Sequence, residues 1–74
     1  MTKVYRSYTM DYTGQIEHAQ RADGQWFTRS QYRDPRYGYK WSPWRETTFL
    51  PERASLDGER RIRLPKAIEA ENVA

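Results

Sequence analysis

The chain reads as a small, mostly β protein: one antiparallel sheet, flat or curled into a barrel, of four to five strands over residues 1–64, with residues 65–74 as a carboxy-terminal tail or short helix. Three observations carry that expectation. Apolar and polar residues alternate at period two in several short runs rich in β-branched and aromatic side chains. Turn-forming Asp-Gly and Pro/Gly clusters separate those runs. Aromatics, each able to bury ~150–250 Å², supply the core material that scarce aliphatics do not.

Residues 3–10 set Val4, Arg6, Tyr8 and Met10 against Lys3, Tyr5, Ser7 and Thr9 and predict the first strand. Neither face is cleanly apolar, so alternation alone leaves its register open. Asp11-Tyr12-Thr13-Gly14 signals a turn, and residues 15–21 a second strand. Asp23-Gly24 is the strongest local signal, because a two-residue type I′ hairpin needs positive φ at both central positions and this dipeptide adopts it with little strain. With Ala22 opposite Gln25, Glu17, Ala19 and Arg21 would share a face with Trp26, Thr28, Ser30 and Tyr32. Ile16, His18 and Gln20 would then share the other with Phe27, Arg29 and Gln31.

Asp34-Pro35-Arg36-Tyr37-Gly38 predicts a second turn, with proline pre-setting φ and glycine free to turn left-handed. The strand that follows, from Tyr39 to about Leu50, starts with Tyr39 and Trp41 on one face and Lys40, Ser42 and Trp44 on the other. Pro43 marks it as an edge strand or a bulge. Trp41 is expected to be structural and Trp44 closer to the surface. Beyond Pro51, Asp57-Gly58 predicts another turn and residues 59–64 a last strand. Pro65 suits the first turn of a short helix over residues 66–71.

At 74 residues there is room for one domain, hiding only ~60% of the surface its unfolded chain exposes. Trp26, Trp41 and Trp44 are the leading core candidates. Cysteine is absent, which removes disulfides, thiolate metal ligands and cysteine nucleophiles. No stretch is apolar and long enough for a signal peptide or a membrane span, so the expected location is cytoplasmic, without membrane contact. Self-association would supply buried area that so small a chain lacks.

The net charge of +3 is unevenly placed. Residues 21–45 hold six cations against Asp23 and Asp34, and the same stretch holds seven of the rings: Trp26, Phe27, Tyr32, Tyr37, Tyr39, Trp41 and Trp44. Ten of the thirteen cations are arginine, whose planar guanidinium stacks on rings and forks onto phosphate or carboxylate. Seven rings in 25 residues exceed what this chain can bury, so some stand exposed beside arginine.

Within that stretch, Ala22-Asp23-Gly24-Gln25-Trp26-Phe27-Thr28-Arg29 resembles the hairpin of Tudor and SH3-like domains, where Asp-Gly precedes an aromatic pair and an arginine. The resemblance covers eight residues and implies an SH3-like barrel, beside the OB-like barrel that strands of this number also form. The flanks do not supply an aromatic cage, so methyl-lysine recognition is not implied.

Catalytic signals are sparse. His18 is the only histidine, its neighbour Glu17 points to the opposite face of a strand, and one histidine without cysteine makes no zinc site. The serines lie in no nucleophile elbow and the glycines in no phosphate loop. A ribonuclease-like toxin using His18 and Glu46 is the enzymatic reading, and it ranks last. No cofactor is called for. The first expectation is a non-enzymatic module that binds single-stranded DNA or RNA through Arg29, Arg33, Arg36, Tyr37, Tyr39, Lys40, Trp44 and Arg45, rings stacking on bases and cations tracking phosphates. The second uses the same patch against protein, as an accessory or inhibitor from a phage or mobile element, since Trp, Tyr and Arg also dominate interface hot spots.

Overall fold

A computed structural model describes residues 1–9, 14–48 and 50–66. The described residues form an all-β fold: β1 (Thr2–Tyr8), β2 (Gln15–Gln20), β3 (Trp26–Asp34), β4 (Gly38–Trp41), β5 (Arg45–Thr47) and β6 (Ser55–Arg60). They make one antiparallel sheet in the order β4-β3-β2-β1-β6, with β5 also on β3. Six strands thus fill five positions. β5 lies along the first part of β3, Trp26 opposite Thr47, and β4 along its second part, Gln31 opposite Trp41. The edge strand expected after Tyr39 is therefore present in two collinear halves, split around Pro43, which has no N–H for a ladder. Among the described residues β6 and the β4/β5 edge do not pair, and the whole is the small antiparallel, barrel-like sheet that the sequence predicts.

The first hairpin departs from expectation in its loop length. Arg21 N donates to Gln25 O at 2.8 Å and Gly24 N to Arg21 O at 2.9 Å, which closes a three-residue loop, with Gly24 left-handed at φ 97°. This is the turn-plus-bulge alternative to the two-residue type I′ form. The slip of one residue turns every β3 side chain over relative to β2. Ala19 now stands opposite Phe27, and Glu17 opposite Arg29.

That register makes the core. Val4, Ala19 and Phe27 form a cross-strand row and are 0%, 0% and 1% exposed. The Arg21 guanidinium caps the Phe27 ring at 5.1 Å. The three tryptophans expected at the centre are only half-buried. The described residues form a single sheet with no helix packed on it, too shallow a core for indoles, which pack at the rim, Trp26 edge-on to Tyr5 at 5.7 Å and the other two against arginine.

Two expectations past Leu50 are overturned. Asp57-Gly58 is not a turn but sits inside β6, where the register against β1 shifts between Val4 and Tyr5 and Gly58 takes φ 146°. The last strand is accordingly Ser55–Arg60 and not 59–64. A bulge accommodates the same glycine freedom that a turn would. Residues 61–66 leave the sheet, and Pro65 O accepts from Arg21 Nη1. The turn at Asp11-Tyr12-Thr13-Gly14 and the helix over 66–71 fall on residues outside those described, apart from Gly14 and Lys66.

Candidate nucleic-acid interface

One face of the sheet is organised in bands across the strands. Beyond the apolar row comes an ionic row. Glu17, fully buried, receives Arg29 at 2.7 Å, Arg6 at 3.1 Å and Arg60. Burial pushes its carboxyl up, but hydrogen bonds from Arg60 and Arg29 and their charges more than offset this, and its pKa lies below the ordinary value. Arg6 also reaches Asp57 at 3.0 Å and donates to Gln15 Oε1. Arg29 continues the row sideways. Its guanidinium lies 4.9 Å from the Trp41 ring and 4.5 Å from the Trp44 ring.

Trp41 and Trp44 thus clasp one cation, and the opposite-face arrangement expected for them does not occur. The strand lapses over residues 42–44, where Ser42 N donates to Ser30 O and Ser30 N to Ser42 Oγ. That lapse re-aims Trp44 toward Arg29.

Past Ser30, β3 runs beyond its pairing with β2 and continues with β4 alone. The result is a two-stranded arm. Asp34 Oδ1 accepts from Arg36 N at 2.8 Å and Tyr37 N at 3.2 Å, and Gly38 closes the turn at φ 82°. The turn expected over residues 34–38 is therefore present, and it presents Arg36 and Tyr37 at the tip.

Alternation sorts the arm's side chains. Arg33 stands opposite Tyr39, and Tyr32 opposite Lys40 on the other face. Tyr37 and Tyr39 are 68% and 67% exposed, Arg33, Arg36 and Lys40 are exposed, and Lys40 Nζ lies 4.3 Å from the Tyr37 ring. Five of the eight residues read from the sequence therefore meet on the arm. Arg29 and Trp44 lie at its base, Arg29 committed to Glu17 and the two indoles. Arg45, exposed opposite Thr28 on β5, faces the same way as Tyr32 and Lys40.

The remaining candidates stand apart. His18 is buried on the face opposite Glu17, its Nε2 2.7 Å from Ser7 Oγ, its Nδ1 without a partner and its pKa lowered by desolvation. Glu46 pairs with Phe27 and so lies across the sheet from His18, which leaves the two too separated to share a site. Among the described residues no cluster of His, Asp or Glu suits a metal ion, and no helix is long and apolar enough to cross a membrane.

Comparison places no relative beside this geometry: no protein-family model, no curated protein and no solved structure matches the chain.

Proposed function

We propose that this chain is a non-enzymatic, cytoplasmic nucleic-acid-binding module whose β3–β4 arm takes single-stranded DNA or RNA. The observation that carries the reading is the interleaving of exposed Tyr37 and Tyr39 with exposed Arg33, Arg36 and Lys40 on one projecting ribbon, against the single carboxylate of Asp34. Every base has a π-face, so rings of this kind hold a strand without reading its sequence, while guanidinium and ammonium groups displace counterions from its phosphates. Asp34 has a structural task there, since its Oδ1 accepts from the turn amides of Arg36 and Tyr37, and its one charge stands against three cations.

An electrophoretic shift series with single-stranded DNA, single-stranded RNA and duplex at several salt concentrations tests the proposal. Binding to single strands that weakens steeply with salt supports it. No binding at low salt, together with recovery of one stoichiometric protein partner on the immobilised chain, would replace it with a protein-binding role for the same rings and arginines.

A further inference from the structure

We infer that the single-strand site does not end at the arm but continues across the open sheet onto β1, with Tyr8 as a second stacking ring. This rests on the nucleic-acid reading and names the path a strand takes over that surface. Tyr8 lies far from the arginine-rich stretch in sequence, but pairing brings the two together. Tyr8 stands opposite Gln15, Gln15 lies one position beyond the Ile16–Ser30 pair and so beside Gln31, and Gln31 stands opposite Trp41. Arg6 and Arg29 both reach Glu17, and Arg29 reaches Trp41, so these side chains share a face. By period-two alternation Tyr8 lies on the same face as Arg6, Arg33 on that of Arg29, and Tyr39 on that of Trp41.

The row Tyr8, Gln15, Gln31, Trp41 is thus one band beyond the ionic row, and Arg33 with Tyr39 forms the band after it. Tyr8 is 47% exposed, Trp41 half-buried and Tyr39 67% exposed. From Tyr8 to Trp41 is three strand spacings, about 14 Å, and from Trp41 to Tyr39 one pleat repeat, about 7 Å. The two exposed rings, Tyr8 and Tyr39, suit two splayed bases, with Trp41 under the Arg29 guanidinium between them. Paired bases keep their faces inside the duplex and cannot reach them.

Charge selects the same occupant. On this face Arg33 stands exposed beside Tyr39 and Arg36 at the tip of the turn, while of the carboxylates next to the row Glu17 is buried among three arginines and Asp57 is paired with Arg6. The Gln15 amide has its oxygen held by Arg6 Nη1, which leaves its NH₂ to donate to a base carbonyl or ring nitrogen.

The test is titration of a labelled 12-mer oligothymidylate with the wild type and with Tyr8→Leu, Tyr8→Phe and Tyr39→Leu. Leucine keeps apolar bulk on the strand and removes the π-face; phenylalanine keeps the π-face. Tyr8→Leu is expected to weaken binding about 5- to 100-fold with an unchanged salt slope, and Tyr8→Phe to stay within about twofold of wild type. On the unaltered protein, photo-cross-linking to an oligonucleotide carrying 5-iodouracil is expected to label Tyr8 as well as the arm, a result that does not depend on any variant folding. Wild-type affinity in Tyr8→Leu, equal loss in the Leu and Phe variants, cross-links confined to the arm, or equal competition by duplex each overturns the extension. If the wild type binds no polynucleotide at low salt, the arm reading falls with it, whereas loss in Tyr39→Leu alone leaves the arm reading intact.

Discussion

Glu17 and His18 are neighbours in β2 that point to opposite faces, and each makes the fold sensitive to acid over a different range. His18 is held neutral by burial, with Tyr5 and Thr28 as its uncharged cross-strand neighbours. Its pKa is lower folded than unfolded, so the unfolded chain binds more protons, and stability falls as pH drops from about 6.5 toward the folded value. Glu17 is depressed too, and its contribution is complete above the ordinary carboxylate range and lost as pH falls below about 4.3 toward its folded value. Urea midpoints measured against pH are expected to show both declines. His18→Gln removes the upper one, Glu17→Gln the lower, and a single decline unaffected by either variant contradicts this assignment. At neutral pH Glu17→Gln is expected to cost about 3 kcal/mol, the low end for a broken buried pair because its arginines keep some contact with water. Gly24 is a second residue-scale test. A side chain there would meet nothing closer than Gln20 Nε2 at 3.9 Å, so any loss comes from the backbone, held at φ 97°. Gly24→Val should lower stability by about 1–2 kcal/mol. In a chain of this size that is roughly 4–16 °C in a thermal melt, and Gly24→Asn should lose less than half as much.

At the scale of elements, the split edge strand and the ionic row form one device. Pro43 divides β4 from β5, and Arg29 ties the two halves back to the sheet by lying against Trp41 and Trp44 while its charge meets Glu17. Both indoles are therefore shielded by the same guanidinium. In single-tryptophan proteins, acrylamide should quench Trp41 and Trp44 to similar extents, and Arg29→Ala should raise quenching at both. A response at only one ring would show that the other is held independently. The opposite edge is guarded differently. β6 carries a bulge at Asp57-Gly58 and the charges of Asp57, Glu59 and Arg60, features that discourage strand addition.

For the molecule as a whole, the sheet divides along its strands into a packed end and an open end. Val4, Ala19 and Phe27 secure one, Glu17 and its arginines form the boundary, and the rings and cations of the arm project from the other. Exposed cations at the open end should matter for binding and little for folding. Replacing Arg33 and Arg36 with alanine is expected to leave the melting temperature close to wild type. If each guanidinium meets one phosphate, the salt slope for a single strand should flatten by about 1.4, about 0.7 per contact. A parallel loss of melting temperature would make those arginines structural, and an unchanged slope would remove them from the phosphate path.

Local chemistry alone settled a good part of this protein. Alternation at residues 3–10, the proline at 43 and the turn residues at 34–38 foretold β1, the interrupted edge and the arm, because each depends on a few neighbouring φ, ψ preferences. The cluster of rings and arginines on the arm was legible for the same reason: exposure there follows from composition exceeding what so small a core can hold. Register was not legible, since Asp23-Gly24 serves a two-residue and a three-residue loop alike, and the choice between them moves every β3 side chain to the other face. From that one slip follow Phe27 in place of the tryptophans at the core and Arg29 beside Glu17, whereas the Asp57-Gly58 bulge is set separately by the pairing of β6 with β1. Tyr8 joins the arm's face only through pairing across four strands. No window of sequence holds that proximity, because it is created by the sheet and not by the chain's local preferences.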